Sequence, residues 1–170
     1  VMLFARTTTN QGGNVQTGKK TINVADYAND KSATLYSKYG QVTANEDRRT
    51  LNIYVSQSER KIEILDGYEG TVQKTQNYSN NAAAYDSFLK ALDFAGFTRE
   101  RRVEVASEDS CPTGSKYVYS LTSEGQEVSR LWNNTCTPLG GTLGNNGTLI
   151  RSLFQKQIPD YNKFVQGVTF

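Results

Sequence analysis

The stretch from Thr50 to Ser56 (TLNIYVS) constrains the fold most, because apolar and polar side chains alternate along it without interruption. In an extended chain, Leu51, Ile53 and Val55 lie on one side and the polar residues between them lie on the other. This period of two predicts a β-strand with one buried and one solvated face. Such a strand needs partners, so the chain is expected to build a sheet.

Three neighbouring stretches extend this sheet. Lys61 to Leu65 repeats the alternation, Ser32 to Tyr39 shows it roughly, and Thr71 to Tyr78 is a more polar strand expected near an edge. Asp66-Gly67 is a turn signal. The order predicts an antiparallel meander of about four strands, whose apolar face needs a cover.

A helix is predicted to supply that cover, beginning at Asn80 or Asn81 and running through Ala95. Asparagine is a preferred N-cap, and Gly96 is a preferred residue after a helix end. Apolar side chains recur at helical spacing along one stripe: Tyr85, Phe88, Leu89, Leu92 and Ala95. The stripe indicates an amphipathic helix.

A second unit is expected after this helix. Lys116 to Leu121 and Glu127 to Trp132 alternate like strands on either side of a turn, which predicts a hairpin. A helix from about Thr148 to Ile158 follows, and Pro159 can start one more helical turn. Three side chains of the first of these helices are expected to face inward: Leu149, Leu153 and Phe154.

Two cysteines, Cys111 and Cys136, flank the predicted hairpin. Chain ends that leave neighbouring strands can come within disulfide reach, and closing a loop of this length would stabilise the fold by about 3.5 kcal/mol. We therefore predict a Cys111–Cys136 disulfide and an oxidising compartment. The alternative is two buried free thiols in a reducing compartment.

Residues 21–170 are thus expected to form a single α+β domain. Its predicted architecture is an antiparallel β-meander of about four strands covered by an amphipathic helix, plus a disulfide-linked hairpin and C-terminal helices. The length of 170 residues suits one domain with a core of its own.

The N-terminal residues are interpreted as a membrane attachment. Residues 1–6 (VMLFAR) are apolar up to Arg6, and a bilayer-spanning helix takes about 20 residues. Residues 7–20 begin with an uncharged run rich in Gly, Thr and Asn, typical of a flexible spacer. We predict the remnant of an anchor, a spacer and a domain at the extracytoplasmic face of the cell membrane. A short first strand, a sequence left from cloning, or a cleaved signal peptide with secretion are the alternatives.

The chain contains no histidine, which excludes Ser-His-Asp and Cys-His catalysis and histidine-containing zinc sites within it. Its formal net charge of +2 gives no electrostatic case for nucleic acid or an acidic membrane surface. No catalytic, metal-binding or cofactor-binding motif stands out, and no cofactor is expected.

Five residues are candidates for a binding surface. Arg101 and Arg102 belong to a basic patch that, with Tyr117 and Tyr119, would stack on a sugar or single-stranded nucleic acid. Acidic neighbours argue for surface ion pairs instead, and against nucleic acid. Trp132 could anchor a partner, although a single tryptophan near a disulfide is more often packed core.

A glycine-rich run, residues 140–147 (GGTLGNNG), precedes the predicted C-terminal helix. Such a run at a helix N-terminus can hold an anion through free N–H groups. No Lys-Ser/Thr follows, so the phosphate-loop pattern fails. The favoured interpretation is a flexible surface loop.

Carboxylates remain as candidates for acid–base catalysis. A glycosidase needs two of them across a cleft, and no pair stands out among those available: Asp66, Glu69, Asp93, Glu104 and Asp109. Solvated loop charges are the simpler interpretation.

Several short motifs occur in a distinctive order. They are Cys111-Pro-x-Gly, Tyr117-Val118-Tyr119, Ser129-Arg130-Leu131-Trp132, Cys136 and Leu153-Phe154-Gln155-x-Gln157-Ile158-Pro159-Asp160-Tyr161, preceded by Asp26-Tyr27-Ala28 and Arg48-Arg49. With these motifs most of the chain resembles membrane-anchored proteins of unknown function from very small, host-dependent bacteria, the Saccharibacteria-type candidate phyla. The resemblance implies an anchored extracytoplasmic domain and carries over no catalytic residues.

Three functions follow as hypotheses. The first is a non-enzymatic binding or envelope-structural module, whose partner would be a cell-envelope or host-surface protein or glycan. The second is a carboxylate-dependent glycan hydrolase. The third is a self-associating subunit of a surface appendage, which would pair through the edge strand Thr71–Tyr78.

Overall fold

The computed structural model describes residues 22–41, 48–67, 69–101, 108, 114–135, 140–144 and 146–170. Its six strands are β1 (Thr34–Gln41), β2 (Arg49–Ser56), β3 (Glu59–Asp66), β4 (Thr71–Ser79), β5 (Ser115–Ser123) and β6 (Gln126–Asn134). They form one antiparallel sheet in the spatial order β4-β3-β2-β1-β5-β6. A 3-10 helix (Val24–Tyr27) precedes β1, and the α-helices are α1 (Ala82–Phe94), α2 (Gly147–Gln155) and α3 (Tyr161–Val165).

The predicted fold class is wrong in its architecture, because the hairpin after α1 is not a second unit. Strand β5 pairs with β1 along its length, with Leu35 opposite Leu121 and Tyr39 opposite Tyr117. The meander leaves one edge of β1 with unpaired N–H and C=O groups, and β5 supplies their partners. The molecule is therefore mainly sheet, with helices of 13, nine and five residues.

The Cys111–Cys136 disulfide that was predicted beside this hairpin falls on residues outside the described part of the chain, so the structure gives it no support. The predicted anchor and spacer, residues 1–20, lie outside it as well. Backbone pairing joins the hairpin to the rest of the molecule. Its turn places Glu124 at a φ of 51° and Gly125 at 76°, the left-handed pair that a two-residue hairpin loop favours.

The strands of the first half follow the predicted alternation. Leu51, Ile53 and Val55 of β2 are all buried, and β3 adds Ile62 and Ile64 on the same face. The first and last strands of the predicted meander are present as β1 and β4, and β4 lies at an edge as expected. Period-two patterning thus located these strands correctly.

Helix α1 begins and ends where the sequence predicted. The Asn81 side chain accepts a hydrogen bond from the N–H of Ala84 at 2.9 Å. At the other end Gly96 adopts a φ of 77°, and the N–H of Phe97 donates to the Leu92 carbonyl. The predicted stripe is buried in the core that α1 shares with the sheet, and side chains of this kind contribute roughly 1.5–3 kcal/mol each on burial.

Helix α2 agrees with the prediction in position but not in every inward residue. Leu149 is 44% exposed, whereas Ile150 and Phe154 are buried. Phe154 meets Phe88 of α1 edge-on, with ring centroids 5.3 Å apart. The two helices therefore close the same face of the sheet, which is why that face carries the hydrophobic core.

The C-terminal segment is tied to the β3–β4 side of the sheet by side chains that donate to backbone carbonyls. The three bonds run from Arg60 to the Gln157 carbonyl at 3.0 Å, from Tyr78 to Pro159 at 3.0 Å, and from Lys74 to Phe164 at 2.6 Å. Carbonyl groups at and beyond the end of a short helix lack N–H donors from the helix itself. The three side chains supply the missing donors.

The opposite face of the sheet is polar. The Tyr36 hydroxyl donates to Asn52 at 2.9 Å, and the Asn52 amide donates to the Tyr54 hydroxyl at 3.3 Å. Nearer β6, Glu108 accepts hydrogen bonds from the Arg130 guanidinium at 2.9 and 3.2 Å. Satisfied polar networks of this kind suit a sheet face that none of the described helices covers.

Candidate functional site

A cavity of about 250 Å³ opens between the β5–β6 end of the sheet and the start of α2. It lies on the helix-covered face, at the end of the hairpin away from its turn. Segments far apart in the sequence form its wall. We call it the arginine cavity because Arg101 and Arg151 line it. The main lining residues are Arg101, Tyr117, Tyr119, Asn133, Thr148 and Arg151.

Residues 140–144 build one side of this cavity, and they are packed rather than being the predicted surface loop. The Leu143 N–H donates to the Trp132 carbonyl at 3.0 Å, and the Trp132 N–H donates to the Thr142 hydroxyl at 3.2 Å. A Cβ on Gly141 would lie 2.3 Å from the Trp132 carbonyl oxygen, and Gly141 has a φ of 118°. Only glycine fits this close approach to β6.

Arg101 reaches the cavity through the same segment. Its backbone N–H donates to the Thr142 carbonyl at 2.8 Å, and Glu100 forms a β-bridge with Leu143. Residues 100–101 thus lie beside residues 141–143, which lie beside β6. The guanidinium group of Arg101 has no hydrogen-bond or ion-pair partner among the residues that the structure describes.

Arg151 enters from α2 and is held by an aromatic stack. One of its guanidinium nitrogens donates to the Tyr117 hydroxyl at 2.9 Å, and the guanidinium carbon lies 5.3 Å from the Tyr117 ring centroid. The Tyr117 ring stacks in turn on Tyr39, with centroids 4.7 Å apart. The charged group is therefore positioned before any ligand arrives.

The first turn of α2 adds hydrogen-bond donors to the wall. Its N-cap residue, Asn146, does not cap the helix, because its side-chain amide donates to the Ala95 carbonyl at 3.0 Å. Gly147 and Thr148 line the cavity, and N–H groups at a helix start carry partial positive charge. Since no Asp or Glu occurs among the described lining residues, the cavity is electropositive.

The two tyrosines of the wall stay neutral. Burial raises the pKa of Tyr119 well above its usual value, and burial, followed by the neighbouring Tyr39, raises the pKa of Tyr117. Tyr119 is only 2% exposed and packs on Phe97 and Phe154. Neither ring has a free face for stacking on a sugar or base, which corrects the role that the sequence suggested for them.

Of the five predicted surface residues, the structure brings together Arg101, Tyr117 and Tyr119. Trp132 pairs with Val118 on the opposite face of the sheet and is 6% exposed, so it is packed. Arg102 lies outside the described residues. The patch is thus a cavity wall rather than a flat stacking surface.

Sequence reasoning missed Arg151 and Asn133. Arg151 lies on a helix that was predicted, but its link to Tyr117 is a contact between positions 34 apart, and no local pattern encodes it. The signal that came closest was the glycine-rich run before α2, which was recognised as able to hold an anion and then interpreted as a surface loop.

The described members of the set of carboxylates considered for catalysis, Asp66, Glu69 and Asp93, do not line this cavity. Asp66 pairs with Arg49 at 3.2 Å, Asp93 lies on α1, and Glu104 and Asp109 fall outside the described residues. Among the residues that are described, no group of three or more His, Cys, Asp or Glu side chains could hold a metal ion.

A second cavity of about 250 Å³ lies between β4 and α3. Lys74, Lys163 and Asp160 line it, and Lys74 already donates to the Phe164 carbonyl. Its cationic groups are thus accompanied by a carboxylate, whereas the described lining of the arginine cavity contains none.

No protein-family model matches the sequence. A comparison with curated proteins likewise gave no match. Within the stretches of chain that the structure describes, no helix combines the length and apolar character needed to cross a bilayer.

Proposed function

We propose that this protein is a binding module whose ligand site is the arginine cavity, displayed at the outer face of the cell membrane. The observation that carries the binding role is the cavity itself, a concave polar site of about 250 Å³ whose wall is assembled from β5, β6, residues 100–101, residues 140–144 and α2. Pre-formed concave sites with a few convergent polar groups are the usual form of small-ligand sites.

Two features of the sequence support display outside the cytoplasm. Residues 7–18 form an uncharged run that suits a tether, and the ordered motifs resemble those of membrane-anchored envelope proteins. Protease treatment of intact cells that express the full-length protein with an epitope tag tests this part. We expect the tag on the domain to be lost, and its protection until the cells are lysed would contradict display.

The cavity favours binding over glycan hydrolysis. A carboxylate-dependent glycosidase places two carboxyl groups on either side of the scissile bond. The described wall of the arginine cavity contains arginine, tyrosine, asparagine and threonine but neither Asp nor Glu. The chemistry of these groups is that of recognition through charge and hydrogen bonds.

A cavity-blocking variant tests the proposal. Thr148 is exposed at the mouth of the cavity, so Thr148→Trp should fill it, whereas Leu149→Trp adds the same side chain at the next, also exposed, position outside the lining. We would screen small carboxylates, phosphates, sugars and short peptides by ligand-observed NMR. The hits should disappear with Thr148→Trp and persist with Leu149→Trp.

A screen without hits, or hits that survive Thr148→Trp in a folded protein, would contradict the cavity as the binding site. Circular dichroism and thermal melting of both tryptophan variants keep the comparison valid, because each must retain the native fold before its binding is interpreted.

Self-association through β4 is a second candidate function, favoured by one observation. Eight of the nine residues of β4 are exposed, and the strand lies at an edge of the sheet. Unpaired edges are templates for strand addition. Sedimentation at rising concentration should reveal a dimer that Thr75→Lys abolishes, while a strict monomer would contradict this candidate.

A further inference from the structure

We infer that the ligand of the arginine cavity carries an oxyanion, a carboxylate or a phosphate, bound between the guanidinium groups of Arg101 and Arg151. The inference rests on the proposed binding function and names the chemical class of its ligand. Four observations carry it, each concerning the charge or the hydrogen-bonding capacity of the wall.

The first observation is the position of Arg151. A guanidinium group is a planar fork of several N–H donors suited to carboxylate and phosphate oxygens. One nitrogen of Arg151 is used by the Tyr117 hydroxyl, at 2.9 Å, and its remaining donors have no partner among the described residues. Because Tyr117 is fixed by its stack on Tyr39, the free side of the fork is preorganised and loses little entropy on binding.

The second observation is Arg101. Its backbone is fixed by the hydrogen bond to Thr142. Arg101 lines the cavity, and its guanidinium group has no partner among the described residues. Other arginines of the molecule behave differently: Arg49 meets Asp66, and Arg130 meets Glu108. Within the part of the chain that the structure describes, the two cationic groups of the cavity thus lack the carboxylate partners that Arg49 and Arg130 have.

The third observation is that these like charges face one confined space. Arg101 and Arg151 both line the same cavity of about 250 Å³. Like charges at short range repel, and more strongly where protein replaces water. An anion between them would remove this repulsion, whereas a neutral ligand would leave it in place.

The fourth observation is the supply of further donors around the same space. The first turn of α2 presents N–H groups that its N-cap side chain does not satisfy. Asn133 and Thr148, which carry an amide and a hydroxyl group, also line the cavity. An oxyanion accepts several hydrogen bonds at once, so it matches a wall made of donors.

The ring faces of the wall argue against a ligand that binds mainly by stacking. Tyr117 is covered by Tyr39 and by Arg151, and Tyr119 is packed on Phe97 and Phe154. Binding energy at this site therefore comes from charge and hydrogen bonds, and we expect the affinity to fall as ionic strength rises.

A matched set of probes tests the inference: phenyl phosphate, benzoate and uncharged phenol, titrated into the whole chain by heteronuclear NMR and calorimetry. We expect at least one of the two anions to bind, with saturable shifts of the Gly144 and Thr148 amides, and phenol not to bind. The stronger of the two anions identifies phosphate or carboxylate as the natural group.

Arginine variants then locate the anion. Arg101→Gln and Arg151→Gln should each raise the dissociation constant at least tenfold, and the double variant should abolish binding. Arg99→Gln is the matched control, since Arg99 is exposed, does not line the cavity and lies two residues from Arg101. Arg151→Lys keeps the charge and should retain part of the affinity, which separates loss of charge from loss of fold.

The outcomes distinguish this inference from the binding function beneath it. If phenol or a neutral sugar binds and Thr148→Trp removes that binding, the cavity is a site but the oxyanion assignment is wrong. If both anions bind the double arginine variant as tightly as they bind the wild-type protein, binding between Arg101 and Arg151 is wrong. If no probe binds to the folded wild-type protein, the inference and the proposed function both fail.

Discussion

Strand β4 at one edge of the sheet exposes eight of its nine residues, whereas β6 at the other edge is bordered by residues 141–143. Beyond that border lie Glu100 and Arg101, joined to it by a β-bridge and a backbone hydrogen bond. Covering one edge creates the concave space in which the arginine cavity forms. One edge strand of the sheet is thus left exposed, while the other is partly covered and borders a candidate binding site.

The two edges also differ in what fixes them. At β6 the contact is between backbones, and it depends on Gly141 lacking a side chain. At β4 the contacts are made by side chains such as Lys74 and Tyr78, which reach the C-terminal segment on the helix-covered side. Substitutions should therefore be severe at β6 and mild at β4.

The largest effect is expected for Gly141→Ala. The added Cβ would meet the Trp132 carbonyl oxygen at 2.3 Å and would require an unfavourable φ of 118°, so we expect a loss of about 3 kcal/mol or more. Gly125→Ala is the control, because its Cβ meets nothing within 4 Å and should cost about 1 kcal/mol for its positive φ. Urea unfolding of both variants measures the difference, and equal losses would show that the close approach to β6 does not matter.

The next effect is expected for Leu143→Ala, which removes the apolar anchor of the segment beside β6. Leu143 is 3% exposed, and truncation of a buried leucine costs about 2–3 kcal/mol where neighbours can partly relax. Val72→Ala on β4, where the side chain is 50% exposed, should change stability by no more than about 0.5 kcal/mol. Thermal and chemical denaturation would contradict the comparison if the two variants lost the same stability.

A smaller effect is expected for Lys74→Met at the β4 edge. The change keeps the length of the side chain but removes the ammonium group, which lies 4.3 Å from the centroid of the Phe164 ring and donates to the Phe164 carbonyl. This loss should cost about 1 kcal/mol. Lys90→Met, which removes an exposed i,i+4 ion pair with Asp86, should cost only about 0.3 kcal/mol. If the two losses are equal, the β4 contact is no stronger than a surface pair.

The smallest effect is expected for Glu108→Gln, and it depends on pH. The hydrogen bond from Arg130, assisted by that from Lys116, holds the pKa of Glu108 below its usual value. A depressed carboxyl pKa stabilises the folded state above the unfolded pKa, and this contribution is lost as the pH falls through the folded value.

Because the Arg130 side chain is 40% exposed, solvent screens the pair, and we expect a loss of about 0.5 kcal/mol at pH 7. Wild type and Glu108→Gln should converge in stability as the pH falls below the usual carboxyl pKa of about 4.3 and through the lower pKa of Glu108 in the folded protein. A difference that stayed constant between pH 7 and pH 3 would rule out the ionised carboxylate as its cause.

The same contrast marks how far the sequence predicted the fold. Strands β1 to β3 and helix α1 each bury a periodic set of side chains, such as Leu51, Ile53 and Val55 of β2, so local patterns located them. Strand β4 is mostly exposed and was located as a more polar strand that follows them in the sequence. The pairing of β5 with β1 joins residues far apart in sequence, and alternation shows that a segment is a strand without naming its partner.

The candidate site shows a similar division. Arg101, Tyr117 and Tyr119 were selected for their chemistry, and the fold does bring them together. Arg151 could not be found because its role depends on a tertiary contact with Tyr117. The glycine run was misinterpreted because glycine content suggests mobility, while its close packing on β6 becomes evident only from the distances at Gly141.

Strand β1 lies inside the sheet between β2 and β5, although it precedes the other described strands in the sequence. The Thr122 hydroxyl of β5 donates to the Thr34 carbonyl of β1 across 88 positions, so one side of β1 stays unpaired until β5 has been synthesised. Long-range pairings of this kind slow folding. Pulse-labelled hydrogen exchange should find amides between β2 and β3 protected before those between β1 and β5, and the nascent chain would be most exposed to misassembly in that interval.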